Sequence, residues 1–137
     1  ERTQRVCFGA SSSTITSCSC GVPQGSVLGP LLFNVYTRDV PQVAQSAATI
    51  QFADDVAVYC SADTTQAVAS TLSTAVSSLA AWLEERGLIL NEKKSQVLTV
   101  FPGRDAGPRV TVLCRSQALP TVTSAKYLGV IIDEGLN

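Results

Sequence analysis

Two adjacent carboxylates, Asp54 and Asp55, stand between apolar runs, with Ile50 and Phe52 before them and Val56, Ala57, Val58 and Tyr59 after. Carboxylate oxygens are hard ligands, so an acidic pair on a stiff support is a natural holder for divalent cations. The same dipeptide also makes a plain soluble turn, because Asp side chains hydrogen-bond their own backbone there. On these residues alone both readings stand. The chain has no His, which removes His-containing zinc sites and every Ser-His or Cys-His nucleophile. Its five cysteines, Cys7, Cys18, Cys20, Cys60 and Cys114, are scattered and odd in number, and Cys18-Ser19-Cys20 has the wrong spacing for a zinc pair. They read as free or buried thiols of a reducing compartment.

The runs flanking Asp54-Asp55 are rich in β-branched and aromatic residues, which predicts a β-hairpin with the acids at its tip. Alternation puts Ile50 and Phe52 on one face and Gln51 on the other, giving each arm a buried side. Upstream, Arg5–Phe8 and Thr14–Ser17 read as two strands of a hairpin joined by a Gly9–Ser13 loop. Gly21 to Pro30 carries three glycines and two prolines and cannot be regular throughout. Pro30 resembles a helix start, and Leu31, Leu32, Val35 and Tyr36 form an apolar stripe that ends before Pro41. Such a bend lets a ligand approach the backbone closely, or is simple punctuation.

Downstream, Asp63-Thr64-Thr65-Gln66 has the form of a capping box. It opens a helix over 64–86, with Val68, Leu72, Ala75, Val76, Leu79, Trp82 and Leu83 on the inner side and Ser, Thr and Gln on the other. Gly87 is the expected C-cap. Leu88–Leu90 and Gln96–Phe101 are strand-like, Pro102–Asp105 reads as a loop, and short strands are expected at 110–114, 117–119 and 126–132.

A length of 137 residues, 45% hydrophobic and 15% charged, suits one globular domain. No apolar stretch approaches the roughly 20 residues that span a bilayer. The chain starts at Glu1 and contains no Met, from which a piece of a longer polypeptide is expected. The net charge of −1 is not that of a freestanding nucleic-acid binder. Charge is nevertheless uneven: three basic and seven acidic residues up to Glu85, seven basic and four acidic from Arg86 onward.

In order and spacing, four blocks resemble the palm of reverse transcriptases, most closely those of non-LTR (LINE-type) retrotransposons. Gly21-Val22-Pro23-Gln24-Gly25-Ser26-Val27-Leu28-Gly29-Pro30-Leu31-Leu32-Phe33 is similar to the family's substrate-positioning motif. Phe52-Ala53-Asp54-Asp55 resembles its metal-binding box, with Phe where Tyr is more familiar. Trp82 to Leu88, then Leu90-Asn91 and Lys94-Ser95, resembles the next motif, and Tyr127-Leu128-Gly129-Val130 the segment that grips the primer. The first palm motif, a strand with another metal-ligating Asp, is absent from the sequence, as are fingers and thumb.

The resemblance implies one partial reverse transcriptase domain over 1–137, of α+β class: an incomplete ferredoxin-like palm, its antiparallel sheet covered on one face by helices near 30–39 and 64–86. It implies RNA-directed DNA synthesis by two-metal phosphoryl transfer with Mg²⁺ or Mn²⁺, the ions lying ~3.5–4 Å apart. Asp54 is then the main metal ligand and Asp55 the supporting one. Pro23, Gln24 and Gly25 sit against the incoming nucleotide and the templating base, and Phe52 packs beneath the primer end. Lys94 lies near the pyrophosphate as charge stabiliser or proton donor, or is a solvated lysine in a turn. Leu128 and Gly129 support the primer backbone. The implied partners are an RNA template, a DNA primer, deoxynucleoside triphosphates and the remainder of the parent polypeptide, with no membrane, inside the cell in nucleus or cytoplasm. A catalytically inactive remnant acting as a binding module, and an unrelated α+β domain with a structural Asp-Asp turn, are the alternatives.

Overall fold

The computed structural model describes residues 2–101 and 107–136. The chain divides into two units, Glu1–Tyr36 and Thr37–Asn137. Among the described residues the strands pair two by two into six separate ladders, five antiparallel and one parallel. The structure is therefore mixed α/β with small sheets. The single antiparallel sheet expected from the sequence is replaced by these short pairings, because most runs contribute only two to five residues to a ladder.

In the first unit, β1 (Arg2–Gln4) pairs with β4 (Thr16–Cys18), and β2 (Cys7–Phe8) pairs with β3 (Ser11–Ser12). The expected hairpin is present, but its ladders lie outside and inside the predicted runs. At the junction Val6 turns to side-chain bonding: its N–H donates to the Ser13 hydroxyl at 3.0 Å. Helix α1 (Gly29–Tyr36) follows the glycine-rich bend. It is shorter than the predicted 30–39, and its stripe is exposed rather than buried, with Leu31 at 60% and Val35 at 57%.

Pro41 opens a second helix instead of ending the first. In α2 (Val40–Val43) it occupies the first turn, where a missing N–H costs nothing. The predicted acidic hairpin follows as β5 (Ala48–Phe52) and β6 (Asp55–Tyr59), in register from Ala48↔Tyr59 to Phe52↔Asp55. Alternation holds, but the polar side is the one turned inward. Thr49 and Gln51 are half-buried with Val56 and Val58, while Ile50 and Phe52 are exposed at 50% and 63%. Helix α2 lies against β5, and α3 (Thr65–Glu85) against β6.

The cap of α3 is Thr64, one residue past the predicted Asp63; its hydroxyl accepts from the Ala67 N–H at 3.2 Å. At the other end Gly87, with φ +68, donates to the Glu84 carbonyl, and Leu88 donates to the Leu83 carbonyl. These are the two bonds of a Schellman stop, which needs a left-handed residue where Gly stands. Trp82 is half-buried and carries the Arg86 guanidinium 4.0 Å above its ring.

The inner side of α3 contributes Ala80, with Val68, Ala69, Leu72 and Val76 packed around it, to a core completed by Val97, Val110, Val112, Cys114 and Leu119. Around that core, β7 (Val97–Leu98) pairs in parallel with β10 (Thr121–Val122), and β8 (Leu113–Cys114) pairs with β9 (Gln117–Ala118). Two serines from the supposedly solvated side of α3 have a structural task. Ser73 accepts from the Leu113 N–H at 2.9 Å, and Ser77 from the Arg115 N–H at 3.2 Å, so the edge of β8 is satisfied by the helix. Leu88–Leu90 forms no ladder. The predicted strand at 126–132 is instead a hairpin, β11 (Ser124–Tyr127) and β12 (Val130–Asp133), folded back at Leu128-Gly129. The predicted loop at 102–105 lies outside the described residues.

Candidate active site

Asp54 lies in the turn and Asp55 begins β6, since Phe52 pairs with Asp55 and leaves only Ala53 and Asp54 to reverse the chain. Both carboxylates are exposed, and none of the ion pairs among the described residues involves either. Ala53 takes φ 51, a left-handed conformation that L-residues other than Gly adopt at a cost. Gln51 braces the turn from below: its amide Nε2 donates to the Ala53 carbonyl at 3.0 Å and to the Thr37 hydroxyl at 2.7 Å. Thr37 is 2% exposed. Neither residue stood out in the sequence, where Gln51 was only the polar alternate of a strand.

The predicted nucleotide loop is in the first unit. Pro23 accepts from the Ser26 N–H at 3.2 Å and Gln24 and Gly25 stand exposed, Gly25 with φ +81. A Cβ at Gly29 would stand 2.7 Å from the Ser26 hydroxyl, which would have to rotate aside. Arg2, also unmarked in the sequence, holds the start of the loop through bonds to the Cys20 and Gly21 carbonyls.

Lys94 is exposed on a one-turn bend. The Asn91 side chain accepts from the Lys94 N–H at 3.2 Å, and the Asn91 carbonyl accepts from the Ser95 hydroxyl at 3.0 Å. Leu128 (φ 48) and Gly129 (φ 87) form the tip of the last hairpin, with Leu128 48% exposed. Phe52, Asp54 and Asp55 thus share one turn. Among the described residues no hydrogen bond or ion pair joins Lys94 or Leu128-Gly129 to them.

Two hard oxygen ligands at an exposed, braced tip fit a cation that takes one or two carboxylates and completes its shell with phosphates and water. Among the described residues no three His, Cys, Asp or Glu side chains gather into a metal-binding group. The described helices include none long and apolar enough to cross a membrane.

The family model for reverse transcriptase (RNA-dependent DNA polymerase) matches residues 4–132, and the chain belongs to that family. The "Probable RNA-directed DNA polymerase from transposon X-element" of Drosophila melanogaster is 33% identical over 96% of this chain and 15% of its own length. The "RNA-directed DNA polymerase from mobile element jockey" of the same organism is 30% identical over 99% of this chain, again 15% of its own length. The one from transposon BS is 33% identical over 85% of this chain and 14% of its own length. These relatives are polymerases of non-LTR retrotransposons, and the chain spans about 15% of the length of those it matches. No solved structure matches it.

Proposed function

We propose that this chain is the metal-holding and nucleotide-positioning part of an RNA-directed DNA polymerase, which extends a primer 3′ end with deoxynucleotides copied from an RNA template. The observation that supports it is the seating of Asp54 and Asp55 at the tip of a braced hairpin, inside a chain that the family matches almost throughout. The incomplete ferredoxin-like palm remains part of this proposal, supported by α2 and α3 lying against the acidic hairpin.

Two Mg²⁺ ions, or Mn²⁺, supply when bound the charge that stabilises the attacking and leaving oxygens. Asp54 and Asp55 would hold them. Phe52, paired across the ladder with Asp55, offers an exposed ring on which the primer end rests. Pro23, Gln24 and Gly25 bring backbone and amide close to the incoming nucleotide, the glycine leaving room for approach. Lys94 neutralises charge at the departing pyrophosphate, and Leu128 and Gly129 support the primer backbone. The partners are the RNA template, DNA primer, deoxynucleoside triphosphates and the rest of the parent polypeptide, inside the cell.

The test is primer extension by the polymerase-length polypeptide carrying these residues, on matched RNA and DNA templates with Mg²⁺. Incorporation that follows the RNA template is expected. A folded polypeptide that binds primer–template yet adds no nucleotide overturns the reading in favour of an inactive binding module.

A further inference from the structure

Along one flank of α3 the helix takes up main-chain N–H groups of the neighbouring extended segment. Ser73 accepts from Leu113 at 2.9 Å, and Ser77, one turn further on, accepts from Arg115 at 3.2 Å. Four helical residues advance about 6 Å and two extended residues about 6.6 Å, so the two elements keep step. The next rung back sets Ala69 against Thr111, and Ala69 has no hydroxyl to offer. Val112 accepts from the Leu119 N–H on one side, so alternation turns the main chain of Thr111 to the other side, toward α3. No hydrogen bond among the described residues takes the Thr111 N–H.

Where the rung is missing there is a groove of about 450 Å³, lined by Thr65, Gln66, Ser70 and Arg109 besides Ala69 and Thr111. Among the described residues none of those lining it is acidic, and none of the ion pairs uses Arg109. A guanidinium, an amide, the Thr65 and Thr111 hydroxyls and an open N–H make a donor-rich, acid-free cleft. Such a set suits an anion with several acceptor oxygens, and the planar fork of Arg matches phosphate. The groove is remote from the acidic turn. The Cys60 thiol donates to the Val68 carbonyl at 3.9 Å and the Ser46 hydroxyl to the Thr71 carbonyl at 3.4 Å, which seats the first turns of α3 at the base of the β5–β6 hairpin. The arms of that hairpin hold base and tip roughly 15 Å apart.

We propose that this groove is a phosphate subsite for a nucleic-acid strand, holding one phosphodiester of its backbone at the end of the hairpin away from Asp54. The choice of a nucleic-acid strand as the source of the phosphate rests on the reading of the chain as part of a polymerase.

A short oligouridylate RNA titrated into the 137-residue chain tests it, followed by amide shifts and fluorescence anisotropy. Shifts are expected at Thr65, Gln66 and Thr111. Arg109→Gln, at an exposed position, should weaken binding about tenfold. It should also reduce the slope of log K against log salt by about 0.7, the share of one phosphate on a single strand. Ala69→Ser supplies the missing hydroxyl, and should slow exchange of the Thr111 amide and weaken binding as well.

Binding within about twofold of wild type and an unchanged salt slope in Arg109→Gln would overturn the proposal, as would shifts confined to other residues. Polyglutamate moving the same amides as strongly, or inorganic phosphate moving them with no response to RNA, would overturn the assignment to a nucleic-acid backbone. Primer extension by the polymerase-length polypeptide separates the two readings. Extension without RNA held at the groove removes the groove alone, whereas RNA held there without extension leaves the groove and removes the polymerase reading.

Discussion

Phe52 and Asp55 face each other as the closing pair of the β5–β6 ladder, so the whole reversal falls on Ala53 and Asp54. The tightness of that turn forces Ala53 to φ 51. Ala53→Gly should relieve the left-handed strain and stabilise the chain by about 0.5–1 kcal/mol, somewhat reduced by the greater freedom of Gly in the unfolded state. Thermal or urea denaturation followed by circular dichroism would show the midpoint rising; a lower midpoint would mean that the Ala53 methyl makes a packing contribution larger than the strain.

The tip of the last hairpin has the same kind of tension. Leu128 (φ 48) and Gly129 (φ 87) have the φ signs of a type I′ turn, whose favoured first residue is Asn. Leu128→Asn should raise stability by about 0.5–1 kcal/mol. If Leu128 supports the primer, the same variant should weaken primer–template binding in the polymerase-length polypeptide, measured by fluorescence anisotropy. A gain in stability with unaltered binding would remove Leu128 from the site.

The thiols should separate by position. Cys7 and Cys20 are exposed, while Cys114 is fully buried in the core. Burial first, and then the neighbouring Glu92 carboxylate, push the Cys114 thiol above its ordinary value of 9.0. A thiol reagent at neutral pH should label Cys7 and Cys20 rapidly and Cys114 only on unfolding. Above pH 9.0 the unfolded chain ionises this thiol before the folded one does. Stability should therefore fall as pH rises from that value until the folded thiol ionises too, and remain unaffected by this group below it. Denaturation midpoints of wild type and Cys114→Ala across this alkaline range would expose the difference in slope.

What the sequence made legible was whatever depended on local chemistry. The Asp54-Asp55 hairpin, α3 with its Gly87 stop and the Gly-rich approach to α1 follow from short-range periodicity, capping and turn preferences. What escaped it depended on partners distant in the chain. Alternation placed Gln51 on the face away from Phe52, and that face is the half-buried one, where Gln51 meets the buried hydroxyl of Thr37. Ser73 and Ser77 read as a solvated helix face until the N–H groups of β8 arrive to use them. The apolar run at 126–132 conceals a turn because Leu128 is not a turn residue by composition. Among the candidate site residues, the aspartates were singled out by type and by the family resemblance, whereas Gln51 and Arg2 bond backbone carbonyls and leave no motif.

The central claim is that Asp54 carries a catalytic metal charge and no packing duty. Asp54→Asn preserves the side-chain shape at an exposed turn and removes that charge. In the polymerase-length polypeptide, single-nucleotide primer extension on an RNA template should fall by at least about a hundredfold, the loss expected of several kcal/mol of electrostatic stabilisation, while the melting temperature stays within a degree or so of wild type. Extension at a near-wild-type rate by the folded Asp54→Asn protein would contradict the account.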